Sequence, residues 1–99
     1  MLLYIETGLI MEEVKDIKEL SKIIKKLKDD KDVYCFLSEL LTESEMNVLS
    51  KRWRILKMLD SGITQREIAK ELGVSLCKVT RGSKILKDQN AVITRILKG

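Results

Sequence analysis

The sequence predicts an all-α fold, and three observations carry that expectation. The 99 residues contain no proline and are rich in Lys, Glu, Leu and Ile, a composition that favours helices joined by short turns. Apolar residues recur along most of the chain at steps of three and four. Helix-start pairs stand where those patterns begin, Thr42 with Glu45 and Thr64 with Glu67.

Taken in order, Val14, Ile17, Leu20, Ile23, Ile24 and Leu27 place one apolar face on a helix over about residues 11–28, closed by the polar run 29–32. Val33, Phe36, Leu37, Leu40 and Leu41 mark a second helix, about 32–41. Thr42 then caps a third, with Met46, Leu49, Trp53, Leu56 and Leu59 on one face and a stop at Ser61-Gly62. A fourth runs from the Thr64 cap to about Leu72, and a fifth from Ser75 or Leu76 to about Leu86. Val92, Ile93, Ile96 and Leu97 indicate a short last helix, which makes about six in all. Residues 1–10 read as an N-terminal extension outside a single domain of residues 11–99, with order expected to begin at Met11.

A domain this small buries a modest core and often needs a partner surface. No apolar run approaches the ~18 residues of a membrane span, and the first residues lack the basic start of a signal peptide, so a cytoplasmic protein is expected. Cys35 and Cys77 lie far apart, with no CxxC and no histidine in the chain, so neither a metal site nor a disulfide is expected. Without histidine, paired carboxylates or a Gly-rich phosphate loop, no catalytic residues are assigned and an enzyme is not expected.

The net charge is only +4, but residues 51–87 hold ten Lys/Arg against three Asp/Glu, while residues 11–32 are balanced at seven each. That basic half coincides with a motif. Ala69 is small enough for two helices to cross, Ile68, Leu72, Val74 and Val79 form a wedge between them, and Gly73 permits a left-handed turn. This is a helix-turn-helix over about residues 64–86, whose second helix would enter the major groove of double-stranded DNA. Gln65, Arg66, Ser75, Leu76, Cys77, Lys78, Thr80 and Lys87 are the candidate DNA-binding residues, with Leu76, Cys77 and Lys78 nearest the bases. Gly82 stands where the packing pattern calls for a buried aliphatic side chain.

Over about residues 33–98 the chain resembles the tryptophan repressor family. The resemblance rests on Leu41-Thr42, Lys51-Arg-Trp-Arg-Ile55, Thr64-Gln-Arg-Glu67, Glu71-Leu-Gly73 and above all Val79-Thr-Arg-Gly-Ser83 followed by Leu86-Lys87. It implies an interlocked homodimer acting as a transcriptional repressor on palindromic operator DNA, with L-tryptophan as corepressor. It also implies an amino-acid site at Leu41, Thr42, Arg52, Arg81, Gly82 and Ile85. Arginine suits such a ligand because its guanidinium both stacks on an aromatic face and pairs with a carboxylate. Gly82 would then give the indole room, the Thr42 hydroxyl would lie near the carboxylate, and the backbone around Leu41 would accept from the ammonium.

Three features depart from the family. Ile85 stands where members often have a serine that helps hold the ammonium, the loop 60–63 is one residue shorter, and Ser75, Leu76 and Cys77 differ at the tip that meets the bases. Ile85 keeps open a regulator that is constitutive or answers a different small ligand. A third reading makes Cys77 a redox-sensitive thiol, against the simpler role of a small groove-facing side chain. Trp53, on the apolar stripe, is expected in the core or at the dimer interface.

Overall fold

The computed structural model describes residues 8–99. Six α-helices and no strand occur among them: α1 (Met11–Lys26), α2 (Asp30–Leu40), α3 (Glu43–Asp60), α4 (Gln65–Leu72), α5 (Leu76–Lys87) and α6 (Val92–Lys98). Most of the proposed N-terminal extension, residues 1–7, lies outside the described residues. None of the described helices is long and apolar enough to cross a membrane. The chain forms two compact units, one ending at Leu41 and one beginning at Thr42.

In the first unit, α1 starts where Glu13 Oε1 accepts from the Ile10 N–H at 3.1 Å. It ends at Lys26, two residues before the expected stop. Helix α2 begins two residues earlier than expected, because Asp29 is a cap: its Oδ1 accepts from Lys31 N at 3.0 Å. Asp30 and Asp32 then lie in the first turn, where the helix dipole favours negative charge. Along α1 only Val14 is buried, while Ile17 and Ile23 are exposed. Within its own chain, therefore, the apolar stripe is only partly covered.

The second unit opens on a reciprocal cap. Thr42 Oγ1 accepts from Glu45 N at 3.1 Å, and Thr42 N donates back to Glu45 Oε1 at 2.8 Å. The two hydrogen bonds from Thr42, backbone first, hold the Glu45 carboxyl below its ordinary value. A depressed carboxylate stabilises the fold above its unfolded-state pKa, and that contribution is lost as pH falls through the lower folded-state value. Glu45→Gln keeps an acceptor without the titration, so its stability is expected to fall less steeply than wild type in acid, which urea unfolding across that range measures.

Helix α3 ends in a Schellman motif, with Gly62 N donating to Leu59 O and Ile63 N to Met58 O. At the next cap the expected reciprocal box is incomplete. Thr64 Oγ1 accepts from Glu67 N at 3.2 Å, but the Glu67 carboxylate accepts from the Thr64 hydroxyl rather than from its backbone. Helix α4 closes at Gly73, whose φ of +65° is the left-handed turn, and Val74 N donates to Ala69 O. A Cβ on Gly73 would meet nothing within 4 Å, so conformation and not space requires glycine there. Gly73→Ala is accordingly expected to cost about 1–2 kcal/mol in chemical denaturation.

Helix α5 starts at the Ser75 cap, whose Oγ accepts from Lys78 N at 3.4 Å. Ile68 and Val79 are fully buried and, with Leu72 and Ile55, form the core on which Met58, Leu59, Ile63, Ala69 and Val74 pack. The wedge read from the sequence is thus joined by Ile55 of α3, which packs most extensively on α5. Helix α6 is tied back by the buried Thr94, whose hydroxyl donates to Ile85 O at 3.0 Å, and by Lys98 Nζ at 3.6 Å from Asp60 Oδ1.

Candidate functional site

Helices α3, α5 and α6 enclose an open cavity of about 530 Å³, lined by Met46, Leu49, Ser50, Arg52, Trp53, Leu56, Arg81, Ile85 and Ile93. Its volume falls within the roughly 300–1,000 Å³ of small-molecule sites. The wall is mostly aliphatic or aromatic, its charged groups are the two guanidinium-bearing side chains of Arg52 and Arg81, and no carboxylate lines it. Such a wall suits a flat apolar body carrying an anionic group.

Of the six residues expected at an amino-acid site, the structure brings Arg52, Arg81 and Ile85 together here. Thr42 stands at the start of α3, where its oxygen is engaged as the N-cap. Leu41 is the last residue of the first unit. Gly82 lies against side chains of α3. It is buried, and a Cβ built on it would lie 3.1 Å from Ile55 Cγ2, 3.3 Å from Leu59 Cδ1 and 3.5 Å from Leu56 Cδ2. The missing side chain thus lets α5 approach the side chains of α3 closely.

The sequence puts Met46, Leu49, Trp53, Leu56 and Leu59 on one face of α3, with Trp53 in the core or at a dimer interface. In the structure Leu49 and Trp53 are 44% and 40% exposed and form cavity wall, Leu56 of the same face is buried at that wall, and Ile55, off that face, goes into the core. Lys57 Nζ sits 6.0 Å from the Trp53 ring centroid. Ile93, assigned only to a last helix, completes the wall from α6.

The candidate DNA-contacting residues lie on α4, α5 and the turn between them. Arg66, Leu76, Cys77, Lys78 and Lys87 are exposed, and Cys77 is a free thiol. Ser75 uses its hydroxyl oxygen as the cap of α5. Gln65 and Thr80 are half-buried and bonded to one another, the Thr80 hydroxyl donating to Gln65 Oε1 at 2.9 Å. The presented surface is cationic and opens at the N-terminal part of α5, the geometry of a helix-turn-helix reading head.

Known proteins resemble this chain in sequence and fold. A family model described as Trp repressor protein matches residues 15–99. The chain is 40% identical over 81 residues to the Trp operon repressor homolog of Xylella fastidiosa, covering 81% of this chain and 88% of that relative. It is 34% identical over 79 residues to the Trp operon repressor homolog of Vibrio campbellii, covering 79% of each. The fold matches the crystal structure of a candidate Trp repressor from Staphylococcus aureus with a TM-score of 0.72 and 29% identity, over 91% of this chain and 92% of that one. The chain belongs to the Trp repressor family, whose members are DNA-binding transcriptional regulators and not enzymes.

Proposed function

We propose that this protein is a sequence-specific repressor that binds palindromic operator DNA as a homodimer and is activated by L-tryptophan held in the cavity between α3 and α5. The observation that carries the proposal is the presence of both Arg52 and Arg81 on the wall of a mostly apolar cavity bounded by α5 itself. The indole would lie against the aliphatic wall, with the carboxylate on the guanidinium groups.

Filling the cavity would favour one setting of α5 relative to α3, so a ligand there shifts a pre-existing population toward the DNA-competent spacing. In a two-fold dimer that spacing is about 34–36 Å between recognition helices, one turn of DNA. The dimer is supported by exposed apolar side chains on several helices, among them Ile17 and Ile23 on α1, Tyr34 and Leu40 on α2, and Val92 and Ile96 on α6. A partner surface would remove them from water.

Ile85 on the cavity wall favours a second reading, a regulator of the same family that is constitutive or answers another small ligand. A serine hydroxyl could accept from the ligand's ammonium, and an isoleucine side chain cannot. Calorimetric titration of the purified protein with a panel of free amino acids separates the two. Saturable binding of L-tryptophan alone is the expected result. Saturation by a different amino acid, or by none, would establish the second reading.

A further inference from the structure

A smaller depression, of about 120 Å³, lies between α3 and the start of α5. Asn47, Lys51 and Arg52 wall it from α3, Gly73 and Val74 from the turn, and Lys78 from the first turn of α5. Small-molecule sites run to roughly 300–1,000 Å³, so this one suits a compact group rather than a second amino acid. The charged groups on its wall are three cations, no carboxylate lines it, and among the described residues none of the three is ion-paired. Lys78 also stands at the N-terminal end of α5, where the helix dipole adds positive potential. Like charges gathered in a concave wall focus their field outward, and a compact oxyanion relieves their repulsion.

The place of the depression says which oxyanion. It adjoins the turn and the first turn of α5, the end of a recognition helix that enters the major groove in this class. Phosphate backbones form the rims of that groove, while base edges lie on its floor. Arg52 also lines the amino-acid cavity, so Lys51 is the cation of α3 that this depression has to itself. We infer that Lys51 and Lys78 hold one phosphate of the duplex between them, so that α3, outside the helix-turn-helix, forms part of the DNA-binding surface. Lys51 is absent from the contacts read from the sequence, and Lys78 takes a backbone contact in place of a base. This inference rests on α5 being the recognition helix of the function proposed above.

The test uses full-length protein, saturating L-tryptophan, and a duplex selected by the wild-type protein from a random-sequence library. Affinity is read by fluorescence anisotropy over a series of salt concentrations, with folding checked by thermal melts. Each phosphate neutralised contributes about −0.9 to the slope of log affinity against log salt. Lys51→Gln, which keeps a polar chain without the charge, should weaken binding about tenfold at the lowest salt and make the slope shallower by about one. Lys78→Gln should act in the same direction. The Lys51→Gln loss should be equal on the selected duplex and on derivatives changed at single base pairs, because a phosphate carries no sequence information. Lys51→Arg should keep the wild-type slope. Lys57→Gln, which removes a charge from α3 outside the depression, should keep it too. A wild-type slope for Lys51→Gln would overturn the proposal, as would an equal flattening by Lys57→Gln, which would reduce Lys51 to part of a general field. A Lys51→Gln loss that varies among the duplexes would overturn it as well. Recovery of no duplex from the library would remove the DNA-binding function itself, and the proposal with it.

Discussion

Ile68→Ala is expected to destabilise the protein by about 2–5 kcal/mol, a large share of the roughly 5–15 kcal/mol that holds a small domain folded. Ile68 has no exposed surface, and its neighbours Ile55, Leu72 and Val79 come from three helices, so collapse around the gap is limited. Urea unfolding at fixed protein concentration measures the loss, the concentration being held because a dimer's stability depends on it. Since Ile68 sits where α4 and α5 cross, DNA binding should fall in step with the folded fraction. A loss below about 1 kcal/mol would mean that this site is not the packed centre described above.

Arg81→Ala is expected to weaken L-tryptophan binding at least tenfold, from the loss of about 1.5–3 kcal/mol of charge-assisted hydrogen bonding to the carboxylate, with the lower end favoured because the side chain is exposed. Arg52→Ala should act in the same direction. Lys51 and Arg54, one and two positions from Arg52, do not line this cavity, so their replacement by alanine should leave the affinity within about twofold of wild type. Arg81→Lys should recover little, because an ammonium neither stacks on an arene nor forks onto a carboxylate. Equal losses at all four positions in calorimetric titrations would reduce the arginines to a general cationic field.

These two variants also mark where the sequence was legible. The α4–turn–α5 unit could be read closely because its determinants are local: a cap at Thr64, a positive φ at Gly73, and a wedge spaced by the helical repeat. The stripe of α3 was readable as apolar but not as cavity wall. Periodicity shows which residues share a face, yet not that Leu49, Trp53 and Leu56 line a cavity while Ile55, off that face, joins the core.

Gly82 shows the same limit, since a missing side chain can mean either room for a ligand or room for another helix. The sequence does not show that Ile55, Leu56 and Leu59 pack against it. Asp29 could equally have been linker or cap until its carboxylate was seen on Lys31 N. The Gln65–Thr80 bond was invisible because polarity predicts exposure and not pairing across a turn.

Control of DNA affinity by L-tryptophan is tested most directly by measuring binding of the wild-type protein to its selected duplex with and without saturating amino acid, at one salt concentration. The predicted result is tighter binding with L-tryptophan by a factor of about 5–150, the range of ordinary allosteric coupling. Equal affinity in its presence and absence would contradict a corepressor role for the cavity between Arg52 and Arg81.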